Sequence, residues 1–374
     1  MKILMVSNYF PSHGGGIEIV AGNLSQALRS RGCSVTLCAY DSGRTSESDK
    51  DCLPLCGTNF VEKRSGIPYP LLYPKSVAAL RAQVRASDIV HVHDCIYESS
   101  RVAGYTARAL NKPLVVTQHI GGLPFKDLPK RLLFRAATEC LTKPLLKRAS
   151  PVVFISENVQ RHFAACFDVG SAPITIFNGL DAALFRMTET RAQARHKLGL
   201  PHDRPIALFV GRFIEKKGLE RIHLLARNFP ETQWCLIGRG PLDPRTWALP
   251  NVLVVGQIPH AEVPTWFRAA DLFVLLSVGE GFPLVVQEAL ACGCPVVVSP
   301  EIETACPALV GRVITTRDDF SDSIVRFKEV LALLPESDRS RADRSAAFEQ
   351  EWSWGSCAAQ YHKLYSKLLA AKSF

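Results

Sequence analysis

The sequence predicts an α/β protein built from two doubly wound, parallel-sheet domains, and three observations carry that prediction. At 374 residues the chain is longer than one ordinary hydrophobic core can fill and suits two domains of about 150 to 200 residues. Short apolar runs at 3–7, 35–39, 89–93, 114–117, 152–155, 206–210, 234–237, 252–255 and 272–276 alternate with segments of helical period, the pattern of buried parallel strands joined by helices. Gly170-Ser171-Ala172-Pro173 separates one such series from the next, as a loop signal between domains should.

Composition narrows the function classes. Hydrophobic residues make up 47% of the chain and charged ones 21%, ordinary for a globular protein, and no apolar run approaches the ~18 residues that span a bilayer. The start, Met1 to Ser7, reads as a first strand rather than a secretory signal. Twelve cysteines lie scattered without paired spacings, which fits reduced thiols, so a cytoplasmic protein is expected. A net charge of +9 leaves an anionic substrate, an anionic membrane and nucleic acid open.

The first strand is followed by a helix whose apolar positions, Ile17, Val20, Ala21, Leu24, Ala27 and Leu28, recur at helical spacing until Gly32. Between them lies Asn8 to Gly16, without the Gly-x-Gly-x-x-Gly frame of a dinucleotide fold. Gly15 and Gly16 still open the helix with bare N–H groups, a seat for phosphate. Residues 41–73, rich in Pro, Gly and Ser, read as a long excursion. His91 and His93 share one strand face; without a third ligand at recognisable spacing they read as core or site-edge residues rather than a metal pair. His119 closes the strand 114–117 at its C-terminal end, where open α/β sheets place ligands. From Lys126 to Arg148, seven basic residues face Asp127 and Glu139 and interleave with leucines. That stretch suits either an anionic membrane surface or a helix covering the sheet.

A new sheet is expected from residue 174 onward, then a turn, Asn178-Gly179-Leu180-Asp181, and a helix over 186–197. The strand 206–210 runs into Gly211-Arg212-Phe213-Ile214-Glu215-Lys216-Lys217-Gly218. Arg212 and Lys217 thus stand in a loop at a strand's C-terminal end, where they would neutralise a diphosphate without a metal. The most informative stretch is Ser277 to Ala291, between the strands 272–276 and 295–298. Pro283 belongs at the first helical position, which puts Glu280 in the loop and Glu288 two turns into the helix, on one face with Leu284 and Ala291. Gly281 and Phe282 offer N–H groups at the helix start, so two carboxylates flank an anion seat. The chain ends in a helix over 354–369.

Glu280 and Glu288 seven residues further, with Gly281-Phe282-Pro283 between them, together with Gly15-Gly16-Ile17-Glu18, Gly211-Arg212, Lys217-Gly218 and Asn178-Gly179-x-Asp181, resemble retaining glycosyltransferases of the GT-B fold, glycosyltransferase family 4 (glycosyl transferases group 1). The resemblance runs along nearly the whole chain; Ser299 to Thr304 departs from it, where many relatives carry Gly-Gly and a later Glu. It implies two facing Rossmann-like domains, residues 1–170 on the acceptor side and 171–352 binding the nucleotide-sugar, with 353–374 crossing back to the first. It implies transfer of a hexose from a UDP- or GDP-sugar to a glycan or lipid-linked acceptor, with retention of configuration and no metal, in polysaccharide, lipopolysaccharide or glycolipid synthesis. The corresponding roles are diphosphate contacts for Arg212, Lys217, Gly15 and Gly16, donor contacts for Gly281, Phe282, Pro283 and Leu284, ribose for Glu288, the transferred sugar for Glu280, and a place beside the donor for His119. Peripheral contact with the cytoplasmic face of the membrane is expected of relatives with lipid-linked acceptors, whereas nucleic acid is not an expected partner. A nucleotide-sugar epimerase or phosphorylase on the same fold, or a silent binding subunit, is the alternative.

Overall fold

In a computed structural model, residues 1–41, 51–65, 69–119, 135–147, 149, 151–166, 174–278, 283–316 and 320–371 are described. The chain divides into two units, Met1–Gly179 with Trp354–Phe374, and Leu180–Ser353.

The first unit is built on β1 (Lys2–Tyr9), β2 (Ser34–Tyr40), β3 (Cys52–Leu55), the short β4 (Gly57–Thr58) and β5 (Leu71–Leu72), β6 (Ile89–His93), β7 (Leu114–Gln118), β8 (Val152–Phe154) and β9 (Ile174–Thr175). The main sheet runs β3-β2-β1-β6-β7-β8-β9, all parallel, while β4 and β5 pair antiparallel. Because side chains alternate across a strand, the apolar runs sort onto two faces. Leu4, Val6, Val90, Val92, Leu114 and Val116 pack with Leu80, Val84, Ala103, Ala107, Leu145 and Leu146 of one helical layer. Ile3, Met5, Val35 and Leu37 pack with Leu24 and Leu28 of the helix Gly16–Ser30 and with Cys357, Tyr361 and Tyr365 of the C-terminal helix, Trp354–Ala370.

The second unit carries β10 (Ile206–Val210), β11 (Gln233–Ile237), β12 (Val252–Gly256), β13 (Leu272–Leu275), β14 (Val296–Val298) and β15 (Ile314–Thr315) in the order β12-β11-β10-β13-β14-β15, again all parallel. Both sheets therefore reverse their winding at one place, between β1 and β6 in the first and between β10 and β13 in the second. At such a switch point the connections leave in opposite directions and open a crevice at the strands' C-terminal ends. At the opposite end of the second sheet, Asp271 accepts from the Ile206 amide (2.7 Å) and pairs with Arg191 (2.5 Å) and the buried Arg195. Arg341 donates to the carbonyls of Phe267, Arg268 and Ala270, satisfying the C-terminal end of the helix Val263–Ala269.

Four expectations need correction. Ile174–Thr175 pairs with β8 and so ends the first sheet instead of opening the second, because its backbone meets the free edge beside Val153 and Phe154. The excursion after residue 41 contains an edge strand, β3, held to β2; its Pro54 is tolerated at an edge, where one side of the ladder is unpaired. The helix expected over 186–197 begins only at Arg191 and runs to Leu198, started by a capping box of Thr190 and Gln193 and stopped by Gly199 at φ 64°, while a separate short helix, Ala182–Phe185, precedes it. Pro283 is the N-cap of Leu284–Ala291 rather than its first helical residue.

Candidate functional site

In the second unit, the loop that carries the two cations is held by its neighbours on both sides. After β10, Gly211 N–H donates to Ile237 O (2.9 Å) and Phe213 N–H to Arg239 O (2.9 Å), while Leu242 N–H donates to Phe213 O (3.1 Å). This zips the loop after β10 to the loop after β11. The approach is so close that a Cβ on Gly238, at φ 146°, would stand 1.8 Å from Gly211 O. Phe213 is buried beside Phe209, and the exposed Arg212 sits between the two amide anchors. A short 3-10 turn, Glu215–Lys217, then ends at Gly218 (φ 75°), where a Cβ would meet Leu276 O at 2.3 Å. Val278 N–H donates to Lys216 O (2.9 Å). The loop from Arg212 to Lys217 is thereby fixed to the exit of β13, on the far side of the switch point.

Beyond β13, Ser277 is buried and its carbonyl accepts from Ser299 Oγ (2.6 Å). Glu280, Gly281 and Phe282 lie outside the described residues. Leu284 and Glu288 are part-buried on the helix Leu284–Ala291. Glu288 Oε1 accepts from His260 Nε2 (3.0 Å), and the His260 ring leans on Phe185, 5.2 Å between centroids. The hydrogen bond to Glu288, and then the charges of Glu288 and Asp181, outweigh burial and raise the His260 pKa above its ordinary value. His260 was not anticipated. Its signal was the one that marked His119, a histidine in the loop after a strand, here Gly256-Gln257-Ile258-Pro259-His260.

In the first unit, β1 leads through a 3-10 turn, Pro11–His13, whose histidine stacks on Tyr9 (3.9 Å), to Gly14 at φ 84° and to Gly15, the N-cap of Gly16–Ser30. The buried Glu18 folds back so that its carboxylate lies where a side chain on Gly15 would stand. Burial raises its pKa, against its own main-chain amide and His13. His119 follows β7 at the same end of the sheet. Its N–H donates to Asp94 Oδ1 (2.8 Å), and Asp94, at φ 58°, follows β6 across the switch point. His119 Nε2 and His93 Nδ1 are 2.8 Å apart, with the rings stacked at 5.1 Å. His93 stacks in turn on His91, which bonds Thr117 Oγ1 (2.7 Å) and Tyr365 OH (2.6 Å). Burial drives all three histidines toward the neutral form and lowers the pKa of His91 and of His119 to about 3. His119 is therefore a neutral hydrogen-bonding group at ordinary pH, not a cation for phosphate. Among the described residues no cluster of three or more His, Cys, Asp or Glu is placed to hold a metal ion.

Of the basic stretch 126–148, residues 135–147 are described; there Leu145 and Leu146 are fully buried against the sheet and Lys143 pairs with Glu139. That part covers the sheet. Among the described residues no helix is long and apolar enough to cross a membrane.

Residues 14–184 match Glycosyltransferase Family 4, and residues 190–310 match the family described as Glycosyl transferases group 1. The chain is 32% identical over 234 residues to D-inositol 3-phosphate glycosyltransferase 1 of Catenulispora acidiphila, covering 55% of this chain and 54% of that one. Among solved structures, sucrose-phosphate synthase of Thermosynechococcus elongatus superposes with a TM-score of 0.77 at 22% identity over 99% of this chain and 100% of its own. Anabaena HepE in complex with UDP-glucose superposes with a TM-score of 0.71 at 18% identity over 98% and 100%. These neighbours show a GT-B fold, and the two family matches support a glycosyltransferase of group 1 and family 4. The chain spans about half the length of the curated relatives it matches at 30% identity or more.

Proposed function

We propose that this protein transfers a hexose from a nucleoside diphosphate donor to a glycan or lipid-linked acceptor with retention of configuration. The observation that carries the proposal is the loop Arg212 to Lys217, anchored by Gly211, Phe213 and Lys216 main-chain bonds across a switch point from the helix bearing Glu288. Cations carried on a loop whose main chain is fixed at such a crevice can stabilise negative charge that builds on a departing diphosphate. Glu288, with one oxygen taken by His260, has the other to accept from the ribose hydroxyls. Glu280 takes the hydroxyls of the transferred sugar, and Gly281, Phe282, Pro283 and Leu284 line the donor. The role proposed for Gly15 and Gly16 is contact with the donor's phosphates, and for His119 a neutral contact with the transferred sugar. The reading draws on relatives: HepE binds UDP and UDP-glucose, so a UDP-hexose is the first donor to try, with a GDP-hexose second.

Two cations opposite the diphosphate make the transfer metal-independent in this reading. Synthesis of a surface polysaccharide, lipopolysaccharide or glycolipid, with peripheral attachment at the cytoplasmic face of a membrane, is the setting proposed. The test is thermal stabilisation across nucleoside diphosphates and nucleotide-sugars, since a ligand that binds only the folded state raises the melting temperature by mass action, followed by product analysis with the donor that stabilises most. Stabilisation by one base and transfer of its sugar with the anomeric configuration kept is expected. No stabilisation by any donor overturns the proposal, and an epimerised or phosphorolysed product replaces it with the corresponding enzyme on the same fold.

A further inference from the structure

The buried end of β7 holds a chain of polar atoms in which every proton can be placed. His93 touches two partners, Met5 Sδ through Nε2 (2.9 Å) and His119 Nε2 through Nδ1 (2.8 Å). A neutral imidazole has one donor and one acceptor nitrogen, and a thioether sulfur can only accept. The proton of His93 therefore sits on Nε2, facing Met5, and its Nδ1 is the acceptor. His119 must then donate through Nε2, which leaves its Nδ1 as a bare lone pair. We infer that Met5 and His93 are positioning residues that hold His119 in the Nε2–H tautomer, so that Nδ1 accepts a hydrogen bond from a hydroxyl of the bound sugar. The sugar in that statement rests on the glycosyl-transfer reading; the tautomer does not. The second chain in the same layer, Tyr365 OH, His91, Thr117 Oγ1 and Tyr361 OH, meets His93 only by ring stacking and does not fix that proton.

The experiment is nitrogen-15 NMR of the histidine side chains in the full chain, assigned with His93→Gln and His119→Gln, in which protonated and bare ring nitrogens are widely separated in shift. In the wild type, His119 is expected to show a protonated Nε2 and a bare Nδ1. A protonated Nδ1, or a doubly protonated ring near neutral pH, overturns the relay whether or not any sugar is transferred. Met5→Leu keeps the volume and removes the acceptor; it should mix the two tautomers of His119 and lower kcat about tenfold, the scale of one hydrogen bond, with nucleoside diphosphate affinity unchanged. Tyr365→Phe should leave both the tautomer and kcat as they are. A Met5→Leu protein with the wild-type tautomer, or a Tyr365→Phe protein with a mixed one, overturns the role given to Met5. On addition of the donor sugar, Nδ1 of His119 should move toward the shift of a hydrogen-bonded acceptor. Unmoved resonances in an enzyme that turns over overturn the acceptor role, while failure of every donor to bind overturns the glycosyl-transfer reading and leaves the relay to be judged on its tautomer.

Discussion

Arg212 and Lys217 stand in a loop whose shape depends on main-chain bonds, so their side chains can be removed without unfolding it. Charge-assisted hydrogen bonds contribute about 1.5 to 3 kcal/mol, and Arg212→Ala and Lys217→Ala should each weaken nucleoside diphosphate binding about ten- to a hundredfold at unchanged melting temperature. Calorimetry with the bare diphosphate checks this, and unaltered binding in both variants would sink the diphosphate assignment. Glu288→Gln should weaken the nucleoside diphosphate and the nucleotide-sugar alike, whereas Glu280→Gln should spare the diphosphate and lower single-turnover rates. His260→Gln, which leaves Glu288 in place but takes away its fixed partner, should weaken both ligands by less than Glu288→Gln does. The placement of Arg212, Lys217 and His119 in loops after strands was legible because each follows an apolar run. The pairings of Glu288 with His260 and of His119 with His93 were not, because they join residues 28 and 26 positions apart that only the strand order brings together.

The loops after β10 and β11 behave as one element, since Gly238 lets the two backbones touch. Gly238→Ala puts a methyl group at 1.8 Å from Gly211 O in a conformation side chains rarely adopt. Strain of about 1 to 3 kcal/mol is expected, and the displaced Gly211 should weaken diphosphate binding along with stability. A variant that melts and binds like the wild type would show the zip to be unimportant. At the other end of the sheet, Asp271→Ala removes the carboxylate that Arg195 faces inside the protein and that the Ile206 amide donates to. An uncompensated buried charge costs about 3 to 5 kcal/mol, so a lower denaturation midpoint is expected with nucleotide contacts intact in the remaining folded protein. Strands at the sheet centres could be read to within a residue or two because parallel strands buried on both faces are continuous apolar runs. Two edge strands were less legible: Cys52–Leu55 contains a proline and reads as part of an excursion, and Ile174–Thr175, two residues long, reads as belonging to the wrong sheet, since it is pairing that gives so short a segment its sheet.

Across the whole molecule, the buried histidines belong to one unit and set how it answers acid. The folded pKa of His91 and of His119 is about 3 and that of His93 is also depressed, while the unfolded chain takes up protons near 6.5. The unfolded state therefore binds more protons between those values, so stability is complete above pH 6.5 and is lost as pH falls through that window, by up to about 1.4 kcal/mol per pH unit for each histidine. In the second unit His260 has a raised pKa and acts with the opposite sign, favouring the fold below its unfolded pKa and losing that contribution as pH rises. Calorimetry from pH 7 to 5 should show the melting of the first unit falling away from that of the second. Two transitions that shift in parallel would contradict it. The same division has a consequence for recombination. The second unit interrupts the first in sequence, and its ends are neighbours: Leu180 N–H donates to Trp352 O at 2.8 Å, and Leu180 bridges Ser353. An insertion with adjoining ends can be exchanged as a cassette, because the parent chain is cut and rejoined at a single place. A chimera that swaps residues 180–353 for those of a relative should inherit that relative's nucleotide preference, provided the final helix stays with the parent whose histidine layer its tyrosines complete.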